Sequence, residues 1–94
     1  TELARTCGIN ILAAVKAQVG DLRNVKRVVR VEGFVASADG FFDQPKVING
    51  CSDLLGEVFG PAGQHSRFAV GVNALPLNAP VEIGAIFEVQ AAKI

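Results

Sequence analysis

Arg67 and Glu82 are the residues whose types and spacing best suit chemistry in this sequence. They sit in the segment RFAVGVNALPLNAPVEIGAIFEV, which runs from Arg67 to Val89. A guanidinium can capture a carboxylate with two parallel hydrogen bonds. A carboxylate across a hollow from it can hold a water or move a proton. Phe68, Val70 and Val72 alternate with Arg67, Ala69 and Gly71, and Val81, Ile83, Ala85 and Phe87 alternate with Glu82, Gly84 and Ile86. Period-2 alternation of β-branched and aromatic residues marks half-buried strands. Paired as an antiparallel hairpin, the two runs must put both apolar sets on one face, because a one-residue slip turns half of them to water. Arg67 and Glu82 then share the other face as diagonal neighbours, with Cβ atoms roughly 7–8 Å apart. Ala69, Gly71 and Gly84 would leave the floor between them empty. Spacing alone leaves two readings open, one of them a small-carboxylate pocket in which Arg67, Ala69, Gly71 and Gly84 bind substrate and Glu82 is catalytic. The competing reading, an ion pair on an exposed sheet face, is worth well under ~1 kcal/mol and gives the small residues no purpose.

Other candidates are weaker. His65 and Ser66 adjoin Arg67, but sequence neighbours rarely form a nucleophile–base pair, and no third group is identifiable. The glycine-spaced segment from Gly56 to Gly63 follows no strand and carries no Lys-Ser/Thr pair, so it is not a phosphate loop. Arg23, Lys26, Arg27 and Arg30 form a local basic run that reads as a solvated loop and strand edge. Cys7 and Cys51 are too few for a metal knuckle or a disulfide framework and read as reduced core thiols.

Several elements must position the pair. From about Glu2 to Val19, apolar residues fall at Leu3, Cys7, Ile11, Ala14, Val15 and Val19, a helical spacing closed by Gly20. The other side carries Ala4, Gly8 and Leu12, so this helix expects cover on more than one side. Val25 to Ala36 has strand character, with Val29, Val31 and Val35 in one row and Lys26, Arg30 and Glu32 mixed into the other. That mixed face suits solvent or a polar subunit interface. Pro45 opens a second helix whose Val47, Ile48, Cys51, Leu54, Leu55, Val58 and Phe59 form one stripe, ended by Gly60 and Pro61. Lys46, Asn49, Ser52, Asp53 and Glu57 fall on its solvated side. The order helix, strand, helix, strand, strand predicts an α+β layer with two helices on one face of a sheet.

Composition narrows the function classes. The chain has 94 residues, half of them hydrophobic, and its six aromatics are all Phe. Chains this short bury only about 60% of their surface alone, so the apolar surplus suggests self-association. Zero formal net charge gives no general pull toward nucleic acid or anionic membranes. With no secretory signal and no apolar run of the ~18 residues a membrane span needs, a cytoplasmic soluble protein is the expectation.

The segment SRFAVGVNALPLNAPVEIGAIFEV resembles the C-terminal signature of the Rid family, the reactive enamine/imine intermediate deaminases formerly described as L-PSP-like endoribonucleases. An Arg-x-x-Val-x-Val run leads there to Leu-Pro and then to a Val-Glu-Ile-x-Ala strand. VKRVVRVEGFVASADGF is similar to the family's central strand and VINGCSDLLGEVFG to its second helix. The resemblance implies a chorismate-mutase-like α+β fold assembled as a homotrimer, with sites in clefts between subunits. It also implies hydrolysis of enamines and imines such as 2-aminoacrylate to a 2-keto acid and ammonia, without metal or organic cofactor. Arg67 would bind the substrate carboxylate and Glu82 would position or activate the water. Two departures stand out. Ala69 replaces the Cys usual in the active deaminases, and the family's opening strands are not found, so residues 1–94 read as a single Rid-like domain lacking them. A non-catalytic trimer that binds small carboxylates as a sensor or scaffold is the alternative.

Overall fold

The computed structural model describes residues 2–90. Helix α1 spans Glu2–Val19, strand β1 Val25–Ala36, helix α2 Gln44–Phe59, strand β2 Ser66–Val72 and strand β3 Val81–Val89, with short 3-10 turns between several of them. The α+β layer with both helices on one face of a mixed sheet matches the expectation. The pairing does not.

The sheet order is β2-β1-β3, so β1 lies between the two strands expected to pair with each other. β1 runs parallel to β2 and antiparallel to β3. The reason is the helix between β1 and β2: a strand–helix–strand unit returns the chain to the sheet edge pointing the same way, which gives parallel neighbours. Period-2 alternation reports which face a residue occupies. It carries no information about which strand lies alongside.

Two register shifts against β3, between Val25 and Arg27 and between Val28 and Arg30, interrupt β1. Each changes the parity of the face. Val28, Val31, Gly33 and Val35 are therefore all buried beneath the helices, although their spacing follows no single alternation. Ile48 of α2 presses on this row. A Cβ on Gly33 would stand 2.5 Å from Ile48 Cγ1, so the missing side chain is what seats the helix against the strand. Ile48, Leu55, Val28, Val31 and Cys51 are the largest fully buried side chains.

α1 buries Ala4, Gly8 and Leu12 and leaves Leu3 and Ile9 half-exposed, so its principal contact is the small-residue side rather than the larger apolar one. Gly8 explains the choice. A Cβ there would lie 2.9 Å from Leu54 Cδ2 and 3.2 Å from Cys51 Sγ, so the helices meet closely at that point. Phe59 and Phe87 close the same layer edge to face, 6.3 Å apart. Among the described residues no helix is long and apolar enough to cross a membrane.

Candidate functional site

Residues paired across neighbouring strands share a face, and the register places every candidate. Arg67 pairs with Val31, Ala69 with Gly33 and Gly71 with Val35, so all three project to the helix side. Glu82 pairs with Phe34 and Gly84 with Glu32, so both project from the open side. Arg67 and Glu82 thus stand on opposite faces of one sheet, with β1 between their strands. The single pocket wall expected from a hairpin does not form within one protomer.

The floor divides in the same way. Ala69 packs against the core. The space beside Gly71 is taken by Gln44, because a Cβ there would lie 2.6 Å from Gln44 Nε2. That amide donates to the Phe41 carbonyl at 2.9 Å and to Ser37 Oγ at 3.4 Å. An open hollow of about 280 Å³ lies nearby, lined by Ser37, Asp39, Phe41, Gln44, Gly71 and Asn73 among others. Gly84 alone keeps a clear floor, with Glu32 Oε2 the nearest atom at 3.9 Å, and that floor lies beside Glu82.

What surrounds Arg67 was only partly visible in the sequence. Its Nη1 donates to Ser52 Oγ at 3.1 Å and its Nη2 to the Pro45 carbonyl at 3.4 Å. Both acceptors belong to α2, two turns apart on the flank that crosses β2. Ser52, assigned from periodicity to the solvated side, is half-buried at the border of the apolar stripe. Ser52 Oγ lies 2.9 Å from His65 Nε2, and His65 Nδ1 lies 2.6 Å from the Gly63 carbonyl. A carbonyl only accepts, so Nδ1 carries the ring proton and Nε2 accepts from the Ser52 hydroxyl. The result is a directed chain: Arg67 donates to Ser52, Ser52 to His65, and His65 to Gly63. His65 pairs with the serine across the layer, not with Ser66 beside it. The available signal was the spacing of His65, just ahead of β2, two residues before Arg67.

Below this chain lies Cys51, whose thiol burial pushes up to about 11; nearby Cys7 adds to the rise and Arg67 opposes it. Both cysteines are free thiols, Cys51 buried and Cys7 half-buried, so Cys51 is packing material rather than a nucleophile.

The open face carries Phe34, Phe68, Val70 and Ile86 among Arg30, Glu32 and Glu82. Phe34 and Phe68 meet edge to face at 5.4 Å, and Arg30 lies 5.1 Å over the Phe68 ring. Val70 and Ile86 are 40% and 51% exposed, which makes the face a sheet surface of mixed but substantially apolar character.

Known proteins agree with this architecture. TCP17 of Trypanosoma cruzi is 46% identical over 88 residues, covering 93% of this chain and 55% of TCP17. The crystal structure of Atu1372 from Agrobacterium tumefaciens, a protein of unknown function, superposes with a TM-score of 0.91 at 50% identity, covering 94% of this chain and 57% of that one. The crystal structure of a "putative endoribonuclease" from Shewanella oneidensis MR-1 superposes with a TM-score of 0.88 at 34% identity, covering 92% of this chain and 57% of that one. The chain therefore spans little more than half the length of these relatives. The family described as "YjgF/chorismate_mutase-like, putative endoribonuclease" matches residues 2–88. With its helices, mixed sheet and nearly every described residue inside that match, the chain belongs to the YjgF/chorismate-mutase-like family.

Proposed function

We propose that this protein binds small 2-imino and 2-enamino carboxylates at Arg67 and hydrolyses them, as with 2-aminoacrylate, to a 2-keto acid and ammonia. The observation that supports this is the clamped guanidinium. Ser52 and the Pro45 carbonyl engage one N–H on each terminal nitrogen, which leaves further donors of a five-donor fork for a carboxylate. The enamine first becomes the imine by gaining a proton at its terminal carbon and losing one from nitrogen. A water then adds to the imine carbon while one of its protons passes through the Glu82 carboxylate to the nitrogen. The carbinolamine collapses as its hydroxyl proton follows the same route, so that the C–N bond breaks, ammonia leaves and Glu82 is again a carboxylate. No metal or organic cofactor takes part.

Because Arg67 and Glu82 face opposite ways, a shared site needs Glu82 from a neighbouring copy. The apolar open face that carries Glu82 gives that copy a surface to cover, in keeping with a homotrimer. Generating 2-aminoacrylate in situ and following ammonia release tests the reading. Arg67→Ala should lower the rate about 10- to 100-fold, the value of a charge-assisted hydrogen-bond pair, and Glu82→Gln about 10²- to 10⁴-fold. Subunits of the two variants, unfolded together and reassembled, should regain roughly a quarter of the sites in a random equal mixture. No acceleration by the unmodified protein would refute the reaction, and no complementation would refute the shared site.

The separation of the two charges favours one further reading, capture of a small carboxylate without turnover. Calorimetry with a 2-keto acid distinguishes it: binding that Arg67→Ala abolishes, with no ammonia released, supports capture alone.

A further inference from the structure

The chain of bonds behind Arg67 has an arrangement that carboxylate binding does not require. Ser52 Oγ lies 2.9 Å from His65 Nε2, and the opposite ring nitrogen is held at 2.6 Å by the Gly63 carbonyl. That carbonyl fixes the tautomer in which Nε2 is a base aimed at the serine hydroxyl. A hydroxyl, a base within hydrogen-bond reach and a third group orienting the base are the geometric requirements of an activated nucleophile. Arg67 Nη1 reaches the same oxygen at 3.1 Å, where positive charge favours the alkoxide and can meet a developing oxyanion. Ser52, His65 and Arg67 are each partly exposed, so the cluster opens to solvent.

We propose that Ser52 is a nucleophile, activated by His65, that cleaves small acyl esters. Ser52 Oγ bonds to the ester carbonyl carbon while its proton passes to His65 Nε2, and the carbonyl oxygen gains its charge beside Arg67. The tetrahedral adduct collapses, the C–O bond to the leaving group breaks, and that alcohol takes the proton from His65. Water then adds to the acyl-serine, giving a proton to Nε2, and collapse returns the proton to Ser52 and frees the acid. The sum is ester plus water to acid plus alcohol. The step needs neither Glu82 nor a second subunit.

A fluorophosphonate probe tests this without any imine substrate, so failure of the deaminase reading leaves the result interpretable. The native protein should be labelled on the peptide carrying Ser52, and urea-unfolded protein should not. His65→Gln should slow labelling about 100-fold or more, with added imidazole restoring part of the rate, and p-nitrophenyl acetate should give one burst equivalent of nitrophenolate per chain. Circular dichroism checks that Ser52→Ala and His65→Gln remain folded; if either does not, the contrast between native and unfolded wild-type protein decides. Absence of label, label on Ser37 or Ser66 instead, or an unchanged rate in folded His65→Gln would overturn the proposal.

Discussion

Asp21 shows how much a single side chain can organise when its partners are local. Its carboxylate accepts the Arg23 backbone N–H at 2.8 Å, capping the turn at Leu22–Asn24, and receives the Arg23 guanidinium at 2.8 Å. The side-chain hydrogen bonds from Arg23, helped by its backbone N–H, hold the Asp21 carboxyl down to about 2. A folded value below the unfolded one means that the carboxylate stabilises the fold above about pH 3.8 and that this contribution is lost as pH falls toward 2. Carboxyl NMR titration should find this midpoint in the intact protein and a return toward the ordinary aspartate range in Arg23→Ala. Cys51 has the opposite sign. Its thiol is held up to about 11, so its burial stabilises the fold up to the ordinary thiol range and that contribution is lost as pH rises toward 11. Iodoacetamide at pH 8 should modify half-buried Cys7 well before Cys51, read by peptide mass, and simultaneous modification would contradict the packing described. Arg67 was legible at this scale because a lone arginine on a small-residue strand face is conspicuous. Ser52 was not, because a hydroxyl beside an apolar stripe looks like any other surface serine until the strand beneath it supplies a partner.

Element boundaries were legible almost to the residue for α1, β1 and α2, since periodicity, Pro45 and the glycines at 20 and 60 all mark the same places. The faces of β2 and β3 were legible separately, but their relative register was not, because the hairpin assumption replaced a long-range fact with a local one. The sequence order of strand, helix and strand already argued for a parallel unit. The contact of β1 with α2 is the joint most exposed to test. Gly33→Ala places a Cβ inside the Ile48 side chain and should cost about 1–3 kcal/mol. Ile48→Ala removes a fully buried side chain and should cost about 2–5 kcal/mol. Urea unfolding measures both, and the double variant should cost less than the sum because the two sites share one contact.

At the scale of the molecule, the two sheet faces divide the labour. One is covered by helices and holds Arg67 with its supporting chain. The other presents Phe68, Val70 and Ile86 together with Glu82. Val70→Lys on the open face should leave the helical circular dichroism unchanged while lowering the assembled mass in light scattering. A monomer at all concentrations in the unmodified protein would remove the basis for a site shared between copies.

The central position of β1 also sets an order of events in folding. β1 is made before both of its neighbours, which come from residues 66–89. It can pair with nothing in this sheet until α2 and the segments beyond it have left the ribosome. Closing those long loops precedes any hydrogen-bonded reward, so the sheet assembles late and as a unit. Until then a valine-rich strand with two bare edges depends on whatever shields it.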